Sequence, residues 1–521
     1  MLIPMGQYDS PQSQEQPVFY LNLYKSNIAV FGAPMSGKTT FIKTLLVQLH
    51  RLKDQLPEES TYIIDFGGNI GKYGKLGNVC ACFDNSNEEN IKRVFRTIEK
   101  RVSDNAKKLQ SKSYFSALDA GIDAVPAHIT LIIENINAFL ADERYASYQE
   151  RLMRFCRDGL SKGLTVVLTA NDLSGINRLM ANFGQKIAFE MPSDSYYEIF
   201  NAKVTKPMKL PGRGLINIDS STYEFQAFIP FATLKDESAI DSLLLQYPQN
   251  QNTYVMASFA DTLTESNFAE FSATKKPISA SGSSDIVVGL EYYEHSPVAV
   301  NITECRSIAI YGKRQFGKSN LLTLLLNGIK QYAPKARYVF FDDGRKQLLP
   351  FHDVENEQSV YLSDISSLRD YLSENGYGAQ RRPGYMPNLP RITEVADTPF
   401  TVFIFQSKVL YRNSPEAKYL MTQWLPVVIG DAEARKYLFI FSDVASISEA
   451  DMRVPFNDDI SVAFLLDSIG EFVSEKGSKS VFGEMDAKEL KAEYAKCSVG
   501  DGYIYNTETD VLQKLKFIKA E

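Results

Sequence analysis

The sequence is poor in the residues that mark several protein classes. It holds five cysteines and four histidines in 521 residues. No two cysteines form a C-x-x-C pair, and the histidines do not cluster near them in sequence. A zinc site is therefore not expected, and Cys80, Cys82, Cys156, Cys305 and Cys497 read as reduced thiols of a cytosolic protein. No run approaches about eighteen uninterrupted apolar residues, so no segment is expected to span a membrane. The opening MLIPMGQYDS has neither the basic nor the apolar region of a signal peptide. An excess of positive charge is also missing. The formal net charge is −7, which argues against a dedicated nucleic-acid binder, and no nucleic-acid partner is expected.

What the chain does have is ordinary globular composition, 44% hydrophobic and 23% charged, at a length that suits two or three domains. Its strongest internal signal is duplication. IAVFGAPMSGKTTFIKTLL (Ile28 to Leu46) aligns without a gap to IAIYGKRQFGKSNLLTLLL (Ile308 to Leu326). Each begins with the apolar run of a buried parallel strand and passes into a helical pattern. Phe41, Leu45, Leu49 and Leu52 mark the first helix, and Leu321, Leu325 and Ile329 the second.

Further pieces repeat in the same order. TYIIDFGG (Asp65) matches RYVFFDDG (Asp342, Asp343), HITLIIEN matches FTVFIFQS, LTVVLTAND matches YLFIFSDV, and KIAFEMPSD matches SVAFLLDS. A glycine-bracketed turn closes each copy, PGRGLI (Pro211 to Ile216) and VGDGYIY (Val499 to Tyr505). Strands alternating with helices predict an α/β fold: two tandem P-loop NTPase domains, each a mostly parallel sheet with helices on both faces. We place the domains at 1–250 and 286–521. The connector at 251–285 includes the Ser/Thr/Lys-rich stretch from Thr264 to Asp285.

Two segments fit G-x-x-x-x-G-K-[ST]. The first is Gly32, Ala33, Pro34, Met35, Ser36, Gly37, Lys38 and Thr39, with Thr40 following. The second is Gly312, Lys313, Arg314, Gln315, Phe316, Gly317, Lys318 and Ser319, with Asn320 following. Such loops wrap a phosphate with successive backbone N–H groups and add the positive end of a helix. Lys38 and Lys318 are expected to reach the β- and γ-phosphates of ATP, and the hydroxyls of Thr39 and Ser319 to serve Mg²⁺. One match could arise by chance; two, each between a strand and an amphipathic helix, do not.

Hydrolysis also needs an acid at the end of a neighbouring strand, and commonly a second that polarises water. In TLIIEN, Glu134 takes the metal position and is the one candidate catalytic acid, while Asn135 fills the water-polarising position and cannot accept a proton. In TVFIFQ, Phe405 and Gln406 are expected at those two places. Asp443 in LFIFSDV is the alternative acid, but that strand matches LTVVLTAND in order. On this reading the first copy hydrolyses slowly at best and the second binds without turnover.

Other features read more plainly. The stretch Gly67 to Gly77 is expected to be a mobile surface loop, with a second phosphate site as the alternative. Arg151, Arg154 and Arg157 share a helical face, by default a solvated one, with donation to a neighbouring subunit's nucleotide as the alternative. Asn171 is a strand-end turn residue or a γ-phosphate sensor, and Trp424 a core residue.

The ordered set resembles the C-terminal part of the EssC/EccC-type ATPase of bacterial type VII (ESX) secretion systems, in the FtsK/SpoIIIE branch of P-loop motors. The resemblance rests on IPMGQYDSPQSQEQPVFYLNL before GAPMSGKTTF, on TYIIDFGG, on PGRGLI followed by Glu224–Phe225–Gln226, on VVGLEYYEHSPVAVNI, and on the terminal VGDGYIYNTETDVLQKLKFIKA. It implies a RecA/FtsK-like fold and a membrane-anchored parent with three ATPase domains. This chain would hold the cytoplasmic second and third, and Met1 would open a fragment. It also implies ATP and Mg²⁺ as cofactors and capture of small helical secreted proteins of the WXG100 type by the last domain. Ring-like association of full-length copies and contact with other membrane components of the secretion machine follow from the same resemblance. A DNA translocase of the FtsK kind would call for intact acids in both copies and a basic C-terminal module, which LQKLKFIKAE does not supply. A pure adaptor with relic loops would not need both Lys38–Thr39 and Lys318–Ser319.

Overall fold

A computed structural model describes residues 2–54, 59–86, 88–110, 112–121, 125–200, 206–218, 221–232, 238–247, 256, 262–272, 283–342, 346–374, 400–406, 437–443, 460–466, 497–506, 508–509 and 511–520. Trp424 and Asp343 lie outside them. The chain divides into two compact units, Met1–Ser258 and Phe259–Glu521.

The first unit is one ten-stranded sheet. Its strands are β1 (Leu2–Tyr8), β2 (Val18–Asn22), β3 (Ile28–Phe31), β4 (Glu59–Asp65), β5 (Val79–Asp84), β6 (His128–Glu134), β7 (Leu164–Ala170), β8 (Gln185–Ala188), β9 (Arg213–Ile218) and β10 (Ser221–Ala227). Their spatial order is β2-β1-β10-β9-β8-β3-β7-β6-β4-β5. From β8 to β5 every pairing is parallel, and from β2 to β9 every pairing is antiparallel. The helices are α1 (Lys38–Leu52), α2 (Glu88–Leu109), α3 (Tyr114–Asp119), α4 (Ile136–Ala141), α5 (Ala146–Asp158) and α6 (Ser238–Gln246).

The central strands are apolar on both sides because both sides are covered. Ile28, Val30, Ile132 and Val167 pack with Phe41, Leu45 and Leu49 of α1. Leu131, Ile133 and Leu168 pack on the other face with Phe95 and Ile98 of α2, Phe139 of α4 and Leu152 of α5. Leu45 has no exposed surface. Truncating it leaves a cavity between α1 and β3, so Leu45→Ala is expected to lower the stability of this unit by about 2–5 kcal/mol, measured as a shift in its urea midpoint.

The second unit repeats the plan. Its strands are β11 (Leu263–Thr264), β12 (Asp285–Glu291), β13 (Pro297–Asn301), β14 (Ser307–Tyr311), β15 (Arg337–Phe341), β16 (Ser359–Leu362), β17 (Thr401–Gln406), β18 (Tyr437–Asp443), β19 (Val462–Leu465), β20 (Asp501–Asn506) and β21 (Val511–Lys519). The order β13-β12-β21-β20-β19-β14-β18-β17-β15-β16 is that of the first sheet, with β11 added on β21. The described helices are α7 (Phe268–Phe271), α8 (Lys318–Tyr332) and α9 (Ile365–Glu374). Leu321, Leu325 and Ile329 of α8 pack against Ile308, Ile310, Ile404 and Ile440. Within the stretch expected to be a connector, β11 and α7 belong to this unit, with Leu263 and Phe268 packed against Ile518.

Both sheets are thus α/β and mixed, with the parallel part predicted from the sequence on one side, out to β5 and β16, and an antiparallel extension on the other. The extension is hard to see in the pattern, because short strands such as β1 and β2 lack a long apolar run.

Candidate functional site

In each unit the central strand ends in the glycine-rich segment and the helix starts at its lysine, Lys38 for α1 and Lys318 for α8. The two turns share a backbone signature. Met35 and Gln315 have φ of 65° and 69°, and Gly37 and Gly317 have φ of 116° and 98°. A side chain at the glycine positions would be strained. Gly37 and Gly317 stand at the N-cap without any side-chain cap, and neither helix has an acid in its first turn. Most helices satisfy these N–H groups with Ser, Thr, Asp or Asn. By contrast α2 opens with Glu88 and Glu89. Both α1 and α8 therefore keep a positive, uncapped end facing the loop, the arrangement that receives an anion.

Lys38 is buried, and its Nζ donates to Gly32 O at 2.5 Å and Ala33 O at 2.9 Å. Burial holds its pKa below the ordinary lysine value, and the nearby Glu134 carboxylate works against that shift. Lys318 folds back in the same way, onto Gly312 O and, at 3.0 Å, Lys313 O. Lys313, Arg314, Gln315 and Ser319 are exposed, so the second loop is more open than the first. Asn320 is directed elsewhere: its amide donates to Ile518 O at 2.7 Å and accepts from Ala520 N at 2.8 Å.

Glu134 ends β6 on the face that carries α1. Thr39 Oγ1 donates to its Oε1 at 2.9 Å, and its Oε2 is buried with no hydrogen-bond partner. Burial pushes the Glu134 carboxyl above its usual range, Thr39 pulls it down, and the Asp65 carboxylate pushes it up again. Asp65 Oδ1 accepts from the N–H groups of Gly67 and Gly68, and Oδ2 from Ile70 N. That ties down the start of the Gly67–Gly77 stretch, which is not simply a surface loop: it continues into a 3-10 helix at Gly71–Lys75 and buries Ile70, Tyr73 and Leu76. Asn135 has φ of 63°, and Asn171 Nδ2 reaches its Oδ1 at 3.4 Å.

A carboxyl with a raised pKa favours its neutral form. Its contribution to stability is present below the ordinary Glu range and is lost as pH rises through the raised value. Glu134→Gln keeps the Thr39 contact and removes the charge. The variant is expected to be more stable than the parent at about pH 8 and no more stable at about pH 4, read from urea midpoints at each pH. Equal midpoints at both would show that Glu134 carries no such penalty.

The register corrects one expectation. Ile64 pairs with Ile133 and Asp65 with Glu134, whereas Phe341 pairs with Phe405. On the other flank Leu168 pairs with Ile133, and Phe441 with Phe405. Both flanks set Phe405 at the place of Ile133 and Gln406 at the place of Glu134. Phe405 does not hold the metal position. It stacks with Phe403, Phe439 and Phe441 on the opposite face of the sheet. The expectation slipped by one residue, and in a strand one residue is the difference between the two faces. Gln406 is buried and donates to Gln347 Oε1 at 2.7 Å. Among the described residues the second unit still presents no carboxylate at that strand position. β18, which carries Asp443, occupies the place of β7.

Arg151 and Arg154 pair with Glu99 at 3.1 and 3.8 Å, and Arg157 pairs with Asp158 at 2.9 Å. One contact lay beyond the sequence reading. Gly212 N of the PGRG turn donates to Ser36 O at 2.9 Å, bringing a remote turn onto the first loop.

The donors fit a nucleotide unequally in the two units. In the first, two side-chain groups meet: the Thr39 hydroxyl and a carboxylate with one oxygen unsatisfied, a donor set suited to Mg²⁺. The second has the loop, Lys318 and an exposed Ser319, with an amide in place of the acid.

No family profile matches the chain. Individual relatives do. ESX secretion system protein EccC of Geobacillus thermodenitrificans is 24% identical over 431 residues, covering 80% of this chain and 28% of the relative. EccC of Thermomonospora curvata is 24% identical over 380 residues, 70% of this chain and 28% of the relative. Type VII secretion system protein EssC of Staphylococcus aureus is 22% identical over 380 residues, 70% and 24%. The chain is a homologue of these EssC/EccC-type proteins. It spans about a quarter of the length of the curated relatives it matches. Among solved structures, ATPases 2 and 3 of G. thermodenitrificans EssC superpose with a TM-score of 0.72 at 20% identity, covering 100% of this chain and 96% of that one. ATPases 2 and 3 of T. curvata EccC, in complex with a signal sequence peptide, give 0.64 at 19%, covering 100% and 93%. The fold is therefore that of the tandem EssC/EccC ATPase domains. Among the described residues no helix is long and apolar enough to cross a membrane.

Proposed function

We propose that this chain is the ATP-binding cytoplasmic portion of a type VII secretion ATPase, regulating recognition and export of small helical substrates of the WXG100 type. The observation that carries the reading is the duplicated loop with unequal acids. Both units set a folded-back lysine at an uncapped helix end, but Glu134 in the first is replaced by Gln406 in the second.

Lys38 and Lys318 exchange loop carbonyls for phosphate oxygens when a nucleotide arrives, which replaces neutral acceptors by charged ones. Thr39 and Glu134 hold Mg²⁺ in the first unit, and Ser319 offers a hydroxyl in the second. Bound Mg-ATP supplies a polyphosphate charge that ties strand end, loop and helix together. Asn135 cannot take a proton from water, so the first unit turns ATP over slowly at most. The second retains it. The likeness to T. curvata EccC, solved with a signal sequence peptide, supports substrate recognition, which this reading assigns to the C-terminal unit. The parent protein would be held at the cell membrane by segments outside this chain and would work with copies of itself and with other secretion components.

Calorimetric titration of the full chain with Mg-ATP tests the reading: two binding events per chain are expected. A chain that binds no ATP at millimolar concentration would refute it.

A further inference from the structure

The turn that reaches the first phosphate loop is held by a set of charges that the second unit reverses. Arg213 N donates to Leu210 O at 3.0 Å, and Ala227 N donates to Gly212 O at 2.8 Å. Glu224 Oε1 accepts from Met208 N at 2.9 Å and from Arg213 Nε at 3.0 Å. Arg213 Nη2 completes the bridge to Asp9 Oδ2 at 2.5 Å. So anchored, the turn lies backbone against backbone with the loop: a Cβ on Gly37 would stand 2.9 Å from Gly212 N.

In the second unit the register places Asp501 at Arg213, Lys514 at Glu224 and Lys516 at Gln226. Asp501 pairs with Lys516 at 3.0 Å, and Lys514 lies 4.3 Å from the ring centre of Tyr292. Gly500 corresponds to Gly212 and keeps its bond from the next strand, Phe517 N to Gly500 O at 2.8 Å. Yet no described atom lies within 4 Å of a Cβ built on Gly317 or on Gly500. The second turn stands away from its loop.

Resting on the nucleotide reading above, we propose that Arg213 is a positioning residue for the first phosphate loop. By bridging Asp9 and Glu224 it holds Gly212 N–H on Ser36 C=O and so keeps the loop shaped for phosphate before any ligand arrives. Among the described residues the second loop has no such brace, and it is shaped by its ligand. A binding site whose competent form is only partly populated loses affinity in proportion to that fraction. Releasing the brace so that about a tenth of the loops remain competent weakens binding about tenfold.

The test uses the full chain carrying Lys318→Ala, so that only the first loop binds, with N-methylanthraniloyl-ATP as probe. Arg213→Ala is expected to raise its Kd about tenfold without moving the melting temperature, and Arg213→Lys to restore most of the affinity. Glu224→Gln, which keeps the size of the side chain, is expected to act in the same direction. In the protein without nucleotide, Arg213→Ala should speed hydrogen exchange at Gly212. In a Lys38→Ala chain, Asp501→Asn should leave the Kd of the second loop unchanged. Unaltered Kd in both Arg213→Ala and Glu224→Gln, or unaltered exchange at Gly212, would overturn the brace. If the Lys318→Ala chain binds no probe while exchange at Gly212 responds as expected, the brace stands and the nucleotide reading of the first loop falls.

Discussion

Titrating the Lys38→Ala chain with Mg-ATP is expected to give one binding event where the parent gives two, and Lys318→Ala to remove the other. Each ammonium folds back onto its own loop, and its partners include the loop carbonyls of Gly32 and Ala33, or of Gly312 and Lys313. A hydrogen bond to a charged group is worth about 1.5–3 kcal/mol. Losing two such bonds to phosphate oxygens weakens affinity by a factor of about a hundred or more. The truncation should not unfold the protein, because one of the two carbonyls it releases in each loop lies on a residue open to water, half-buried Ala33 or exposed Lys313. Lys38 is also held below its ordinary pKa by burial, so removing it costs the unliganded unit little. A parent stoichiometry of one, unchanged by one of the two substitutions, would show that loop to be empty in solution.

The second large effect concerns the C-terminal unit. In a Lys38→Ala chain only the second loop binds. ATP at about a hundred times its Kd should then add about 2.7 kcal/mol to the stability of that unit. For a unit of this size that corresponds to a rise of about 5–10 °C in its melting temperature. The reason is the amide at the strand end. Gln406 is bonded to Gln347 and cannot order a metal or a water as a carboxylate does, so the bound nucleotide is not consumed and its stabilisation persists. Three readings should agree: a raised melting temperature, no release of phosphate over hours, and stronger capture of a labelled signal-sequence peptide with ATP than without it. A melting curve unmoved by ATP, in a chain that calorimetry shows to bind it, would rule out the structural role.

Much of this was legible in the amino-acid order. Repeated apolar runs, each ending in a glycine-rich segment and a helical pattern, announce a strand–loop–helix unit twice, because burial on both faces and the left-handed turn both constrain residue type locally. The matching order of the later strands pointed to one plan used twice. Register was less legible. FTVFIFQS is apolar at nearly every position, so nothing in its pattern says which residues face α8. The neighbouring strands decide that, and they place Gln406, not Phe405, on the face that carries α8.

By itself, then, the sequence determined the tandem α/β plan, the two loops and the lysine at the head of each helix, since these depend on contacts between near neighbours. The tertiary structure decided which strand-end side chain meets Thr39, that Asp65 ties down the following glycines, and that Gly212 lies on Ser36. These groups are brought together by sheet pairing and strand order, and a pairing between distant segments leaves no periodicity in either of them.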